Sequence, residues 1–313
     1  MNKGTLAAGA ACLGLGLGVL LTKPDVSASE QATTGLPQPA ETKLRVKNTR
    51  QTTPHLVRTL IDPTLHLEAQ IEAIRSLPAD LTEEEFQALL DLIQQPSPDR
   101  QQPHRWSTLQ NELMEVLRAD RYAHWQGYLP SMVGLVTNIH IDPIVRDYAA
   151  QHLVLYLNDR SHQLSGEQRA LGLKSLLKPL TTPRDQSSQV VGTILLALCD
   201  LHRNRPALVA PYRNQIAQAT TDLLQPNRAV SFSNQISALQ TAGRLQLPDL
   251  HSTVQAIAKG NPNTTQRDTL RLSAVAALGY YRDPADRPFL TELSRSNSPL
   301  RYAAQAALVR LTQ

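Results

Sequence analysis

Apolar residues recur at intervals of three and four from about residue 54 to residue 313, and this spacing predicts amphipathic helices. No run alternates strictly between apolar and polar residues, and no Asn-Gly turn joins two such runs. The sequence therefore predicts an all-α fold over 54–313, with a short additional turn at 54–61.

The predicted helices begin at recognisable capping residues. Thr82 and Ser165 each stand three residues before a Glu or Gln that completes a capping box. Asp142 and Asp283 each precede a proline, which suits the first position of a helix. We therefore predict that Asp142 and Asp283 are structural residues of a repeated unit, and that most of these prolines start helices rather than break them.

The helices are spaced as a repeat. The first helices of successive pairs are predicted to begin near residues 64, 105, 142, 184, 229, 264 and 299, in steps typical of two-helix repeats. Arg146, Arg271 and Arg301 are each followed by an alanine three residues later and a leucine seven residues later. Small alanines let neighbouring helices approach closely. A single pair cannot bury both of its apolar faces, so the pairs must stack.

The pattern Asp-Pro-x-x-Arg-x-x-Ala resembles HEAT repeats, particularly the short bacterial kind related to phycobilisome-lyase repeats. The resemblance is strongest over 264–313, whereas 184–259 lacks the Pro-x-x-Arg signature and leaves the repeat count open. It implies a right-handed α-solenoid of about six antiparallel helix pairs plus a terminal helix. The alternative is a closed helical bundle.

The same resemblance implies roles for parts of the repeat. The arginines Arg146, Arg271 and Arg301 are expected to be structural, bonding neighbouring loops or an acidic residue of the adjacent repeat. The second helix of each pair is expected to line the concave face.

The first residues have the pattern of an export signal. Lys3 precedes an uncharged run over 5–21, and small residues precede a cut after Ala28. We predict a signal peptide over 1–28, with an uncleaved membrane anchor as the alternative. A lipoprotein modified at Cys12 is a third option, although most of the apolar run follows that cysteine.

Residues 29–53 are rich in Ser, Thr, Pro, Gln and Ala and predict a flexible linker. The predicted domains are therefore signal or anchor (1–28), linker (29–53) and HEAT-like solenoid (54–313). The expected location is periplasmic or secreted, or tethered to a membrane through the N-terminal segment alone.

Charge is separated along the predicted array, although the whole chain is only +4. Residues 54–120 hold five basic and twelve acidic residues, and 121–313 hold twenty basic and twelve acidic ones. This separation can steer a charged partner, and the alternative is ordinary solvated helix faces. The basic residues are spread singly, which argues against a nucleic-acid partner.

No catalytic motif is present, whether H-E-x-x-H, G-x-S-x-G or a phosphate-binding loop. The nine histidines do not pair at four-residue spacing as metal ligands would. We predict no catalytic residue, no metal site and no cofactor. Cys199 lies in an apolar run, which favours a buried thiol that packs as a small hydrophobic group.

Aromatic residues make up only 4% of the chain but cluster near residue 125. Trp125, Tyr128 and His124 are therefore the tentative partner-binding residues, with simple packing between two helices as the alternative.

The expected function is an exported, non-enzymatic scaffold that binds a protein or peptide partner on its concave face. One alternative is an enzyme on a solenoid platform, either lyase-like or an envelope hydrolase, in which a residue such as His124 would meet a carboxylate. Another is a structural subunit of an envelope complex.

Overall fold

The computed structural model describes residues 53–62, 64–98, 103–119, 122, 126–182, 188–225, 230–260 and 268–312. Within these ranges the regular structure is entirely helical, and no strand occurs. None of the described helices combines the length and the apolar character needed to cross a bilayer. The predicted signal segment and nearly all of the predicted linker lie outside the described residues.

The α-helices follow one another along the chain with short connections. In chain order they are α1 (Thr53–Ile61), α2 (Leu67–Arg75), α3 (Glu83–Ile93), α4 (Pro103–Arg118), α5 (Tyr128–Thr137), α6 (Pro143–Arg160), α7 (Gly166–Thr181), α8 (Val190–Asn204), α9 (Pro206–Val209), α10 (Arg213–Leu224), α11 (Phe232–Arg244), α12 (His251–Lys259), α13 (Asp268–Tyr281), α14 (Arg287–Arg295) and α15 (Arg301–Arg310). The seven predicted first helices correspond to α2, α4, α6, α8, α11, α13 and α15, and each begins within six residues of its predicted start.

The helices stack in two layers. Layer A consists of α2, α4, α6, α8, α11, α13 and α15, and each of its members packs against the next. Layer B consists of α1, α3, α5, α7, α10, α12 and α14, and here only α1–α3, α5–α7 and α7–α10 pack closely. This arrangement confirms an all-α helical-repeat solenoid.

Each layer-A helix also packs against the layer-B helix that precedes it in the chain, from α1–α2 to α14–α15. The described helices therefore form seven such pairs, where the sequence predicts about six and a terminal helix. The difference arises because the segment 54–61, expected to be a short turn, belongs to the nine-residue helix α1, which provides a partner for α2.

The predicted caps are confirmed. The hydroxyl groups of Thr82 and Ser165 accept from the backbone N–H three residues on, and both capping boxes are complete. The Asp142 carboxylate accepts from the N–H of Ile144 at 2.8 Å. The Asp283 carboxylate accepts from the N–H of Ala285 at 2.9 Å and starts a short 3₁₀ turn before α14.

Layer-A helices approach each other through small residues, as the alanine pattern predicts. Ala274, Ala277, Ala304 and Ala307 are all buried. Glycine allows the same close approach, for example at Gly279, where a Cβ would lie 2.6 Å from the Cα of Ala307. Only a residue without a side chain fits between α13 and α15 at this point.

The last two loops that lead from layer A to layer B repeat each other at a spacing of 36 residues. Gln246 and Arg282 both follow a layer-A helix with positive φ angles of 49° and 58°, a conformation that is uncommon outside glycine. Pro248 and Pro284 then each begin a 3₁₀ turn. The loop that returns the chain from layer A to layer B is therefore the same structural unit in both repeats.

Candidate functional site

Two of the three repeated arginines join successive helices. Arg146 is 3% exposed, and its Nε and Nη2 donate to the carbonyl of Val136 in α5 at 3.2 and 3.0 Å. Arg271 does the same at the equivalent place, since its Nη2 donates to the carbonyl of Lys259 at the end of α12 at 3.3 Å. Both bonds satisfy a carbonyl that the end of a helix leaves without an intrahelical partner.

Arg301 differs from the other two. Its guanidinium lies over the ring of its own neighbour, with Cζ 4.7 Å from the centroid of Tyr302, and Nη2 donates to the Tyr302 hydroxyl at 2.7 Å. Within the described part of the chain, Arg301 makes no hydrogen bond to the preceding helix. The arginine at this repeat position therefore contacts its own helix in α15 instead of joining it to the preceding helix.

Of the three tentative partner-binding residues, the structure describes Tyr128, which lies in the core. Tyr128 is 1% exposed, its hydroxyl donates to the carbonyl of Met114 at 3.0 Å, and its ring centroid lies 5.0 Å from that of Tyr156. Burial raises the pKa of Tyr128 well above its usual value. His124 and Trp125 lie outside the described residues. The tentative site thus has one member whose ring packs inside the repeat rather than on the surface.

The exposed side of layer A, which we call the open face, concentrates large apolar side chains. The described chain has seven exposed large hydrophobic residues, and five of them lie on layer-A helices. The five are Ile144, Leu155, Leu272, Tyr302 and Val309. The other two are Leu171 in α7 of layer B and Ile139 in the loop before α6.

On α6 these residues form one stripe. Ile144 and Leu155 are eleven residues apart, which places them on the same side of a helix with 3.6 residues per turn. Tyr148 and Gln151 lie between them and are partly exposed. The exposed side of α6 is therefore a mixed apolar and polar strip rather than a charged one.

Charged groups border this strip near the ends of the layer-A helices. Arg118 of α4 pairs with Asp159 of α6 and, at 2.8 Å, with Glu115. Further along, Arg244 of α11 lies 3.5 Å from Asp200 of α8. Such pairs hold neighbouring repeats together, and they give the open face a charged rim around apolar residues.

A buried histidine lies beside this rim. His152 is 5% exposed, its Nε2 lies 3.0 Å from Oδ1 of Asn111, and its Nδ1 lies 3.5 Å from a carboxylate oxygen of Glu115. Burial first, and then the positive charge of Arg118, lower the pKa of His152 to about 4. The imidazole therefore stays neutral in the folded chain at neutral pH.

His152 should make the fold sensitive to acid. The pKa of this residue is lower in the folded chain than the ordinary value of 6.5. Between the two values the histidine is protonated in the unfolded chain but neutral in the folded chain, so acid favours unfolding. Between pH 6.5 and 4 we expect a loss of about 3 kcal/mol in the free energy of unfolding from this group.

Urea denaturation at pH 7, 5.5 and 4.5 measures this loss. His152→Gln keeps a side-chain donor toward Asn111 but cannot titrate, so its stability should fall less with pH than that of the wild type. Parallel pH curves for the two proteins would show that His152 does not carry the effect.

A second histidine joins two repeats in layer B. Nε2 of His251 in α12 lies 2.8 Å from a carboxylate oxygen of Asp286, next to α14, and Nδ1 lies 3.5 Å from Asp283. Asp286 is 2% exposed and also accepts from Gln255 at 2.6 Å. Because both ring nitrogens face carboxylates, this histidine connects repeats rather than presenting a free base to a substrate.

Cys199 packs as predicted. It is 4% exposed, and burial raises the pKa of its thiol to about 11. The thiol therefore stays protonated at neutral pH and is a poor nucleophile. Within the described ranges, no three His, Cys, Asp or Glu side chains come together as metal ligands.

The two stacked layers of helices define the class of protein: the chain is an all-α helical-repeat protein. No protein-family model matches its sequence, and no curated protein does. Several solved structures are similar to it at low identity, and these likenesses concern the fold alone.

One similar structure is a designed armadillo repeat protein, 16% identical over 83% of this chain and 99% of that chain, with a TM-score of 0.39. Another is the complex of CpcE and CpcF of phycocyanin lyase from Nostoc sp. PCC7120, 16% identical over 88% and 94%, with a TM-score of 0.41. Human deoxyhypusine hydroxylase in complex with glycerol is 18% identical over 83% and 96%, with a TM-score of 0.31.

Sequence spacing alone does not distinguish most apolar residues of the open face from core residues. A signal for them exists in α15, where apolar residues occur on every side of the helix instead of along one stripe. In α6 and α13 the exposed leucines resemble core positions in sequence, so only the packing distinguishes them.

Proposed function

We propose that this chain is an exported, non-enzymatic repeat scaffold that binds a protein or peptide partner on the open face of layer A. The observation that carries the proposal is the concentration of exposed large hydrophobic residues on layer-A helices. Apolar side chains grouped on one surface and rimmed by polar groups are typical of protein interaction sites.

The open face is also the side that we assign to the concave surface. Layer-A helices pack against each other at every step, whereas several neighbours in layer B do not. In a curved two-layer stack, the layer with the closer helix spacing lies on the inside. Because the observed pairs run from α1–α2 to α14–α15, layer A holds the second helix of each pair, which is the helix expected to line the concave face. The assignment differs only from the predicted pairing, in which the second helices are those of layer B.

Two considerations support a scaffold rather than an enzyme. In both histidines that meet carboxylates, His152 and His251, Nε2 lies within hydrogen-bond distance of another side chain and Nδ1 lies 3.5 Å from a carboxylate oxygen. The one free cysteine of the described ranges is buried. These polar clusters join helices to one another, as expected of contacts that stabilise a stacked repeat array.

The export part of the proposal rests on the N-terminal sequence. If 1–28 is a cleaved signal, the mature protein recovered from an exporting bacterial host begins at Ser29. Intact-mass measurement of the purified protein reads this directly. A full-length mass together with cytoplasmic fractionation would contradict export.

Binding is tested by matched substitutions on the two layers. Leu155 in layer A is 41% exposed and Leu171 in layer B is 46% exposed. We expect Leu155→Ser to lower recovery of a specific partner from the native envelope fraction at least about fivefold, since losing a buried leucine contact costs more than about 1 kcal/mol. Leu171→Ser should leave recovery unchanged.

Both variants should keep the wild-type unfolding transition, because both leucines are exposed. Equal loss of the partner in the two variants, or loss in Leu171→Ser alone, would contradict binding on the open face.

A further inference from the structure

Two arginines of α15, the last helix of layer A, lie on tyrosine rings. Cζ of Arg310 lies 4.5 Å from the ring centroid of Tyr280, which joins α15 to α13. Cζ of Arg301 lies 4.7 Å from the centroid of Tyr302, and Nη2 of the same arginine donates to the Tyr302 hydroxyl. A guanidinium stacked on a ring loses less freedom on binding, because its orientation is already restricted.

Neither arginine is neutralised by a carboxylate among the described residues. Nη1 of Arg310 is buried and has no hydrogen-bond partner there. Four other arginines near the ends of layer-A helices differ in this respect, since they are paired with carboxylates. These are Arg75 with Glu112, Arg118 with Asp159, Arg203 with Asp200, and Arg244 with Asp200.

Large apolar groups lie on the same two helices. Tyr302 is 69% exposed, Val309 is 58% exposed and Leu272 is 41% exposed. Tyr302 and Val309 are seven residues apart and therefore lie on one side of α15. We define the C-terminal patch as Leu272, Tyr280, Tyr302, Val309 and the two arginines that lie on its tyrosines.

We propose that the C-terminal patch binds an acidic peptide segment of a protein partner, one that carries large apolar side chains next to its carboxylates. The proposal deepens the partner-binding function and rests on it. Arginine guanidinium groups suit carboxylates, with which they form charge-assisted hydrogen bonds. The tyrosines and aliphatic groups provide the apolar contact, and Tyr and Arg are among the residues that dominate binding energy at interfaces.

The composition of this part of the chain favours a peptide over a nucleic acid. Residues 268–312 contain six arginines, no lysine and four carboxylates, a net charge of +2. A phosphate backbone is bound by a longer row of basic groups that neutralise its charges. The three exposed aliphatic or phenolic side chains of the patch make no such contribution. The patch, with a few arginines among apolar side chains, therefore matches a peptide that has a few carboxylates among apolar side chains.

Fluorescence anisotropy with the full chain tests the proposal. Two labelled twelve-residue probes share the same leucine and phenylalanine positions, and the remaining positions are glutamate in one probe and lysine in the other. We expect the glutamate probe to bind at least about tenfold more tightly than the lysine probe, and its affinity should fall as salt is raised.

Substitutions locate the binding. The double variant Arg301→Gln, Arg310→Gln should weaken the glutamate probe about tenfold or more, and Val309→Ser should weaken both probes. Arg295→Gln and Leu171→Ser, on exposed layer-B residues, are the matched controls and should bind as the wild type does. Unfolding curves confirm that every variant is folded, and the salt dependence of the wild type tests the charge contribution without any substitution.

Equal affinity for the two probes, no binding of either, or the same loss in Arg295→Gln would overturn the proposal. So would a concentration-dependent dimer in light scattering that the double variant dissolves, because the patch would then be a contact between copies of this chain. If the double variant still recovers the native partner while Leu155→Ser does not, the scaffold function stands and this inference alone fails.

Discussion

Gly279→Ala is expected to lower the free energy of unfolding of the full chain by about 2–3 kcal/mol. The new Cβ would lie 2.6 Å from the Cα of Ala307 and 3.0 Å from its carbonyl oxygen. These atoms belong to the backbone of α15, so no side-chain rotation relieves the clash and the two helices must separate. Urea denaturation followed by circular dichroism measures the change.

A glycine elsewhere in the array provides the control. A Cβ on Gly134, which is exposed in the interior of α5, meets nothing within 4 Å. Gly134→Ala should therefore stabilise the chain by up to about 1 kcal/mol, because alanine is the better helix former. If both substitutions change stability in the same direction, close packing of α13 on α15 is not what fixes glycine at position 279.

Asp286→Ala is expected to lower the free energy of unfolding by about 3 kcal/mol. The carboxylate is buried, and its removal leaves Nε2 of His251 and the amide of Gln255 without their acceptor across the repeat boundary. The loss should coincide with earlier unfolding of the last helix pair, since the contact joins α12 to the start of α14.

A double-mutant cycle isolates this contact. Asp286→Ala and Gln255→Ala together should cost clearly less than the sum of the two single changes, because each already removes their shared hydrogen bond. Asp249→Ala is the control, since Asp249 is exposed in the preceding loop and should change stability by no more than about 0.5 kcal/mol. A cost for Asp286→Ala as small as that of Asp249→Ala would contradict the role of the carboxylate as an inter-repeat contact.

Most of the fold can be predicted from local sequence. The caps at Thr82, Ser165, Asp142 and Asp283 act within three residues of themselves, so their chemistry is visible without a structure. Helix periodicity and the small residues after each repeated arginine then predict the stacking. The pairing order is less visible, because α1 has few distinguishing features in sequence.

The site depends on contacts that sequence spacing does not reveal. Asp286 and His251 are 35 residues apart, and their meeting depends on how one repeat is seated on the next. Leu250 occupies the place equivalent to Asp286 one repeat earlier and is buried, so the position itself predicts an apolar residue. Tyr128 could not be assigned from sequence either, since a tyrosine near other aromatic residues suits a core and a binding groove equally well.

The repeated arginines occupy the same position in the sequence pattern but do not all make the same contacts. Arg146 and Arg271 bond a carbonyl at the end of the preceding helix, whereas the resemblance implies a neighbouring loop or an acidic residue of the adjacent repeat. Arg301 occupies the same position in the pattern but lies on Tyr302. The difference arises because a tyrosine follows Arg301, where a leucine follows Arg271, and this local change is what creates part of the C-terminal patch.

Site-specific photo-cross-linking tests most directly whether a partner binds on the open face. A benzoylphenylalanine placed at Leu155 or Leu272 on the open face, or at Leu171 on layer B, is illuminated in cells that make the native partner. We expect a specific cross-linked protein from the two open-face positions and none from Leu171. Cross-linking from Leu171 alone, or equally from all three positions, would contradict binding on the open face of layer A.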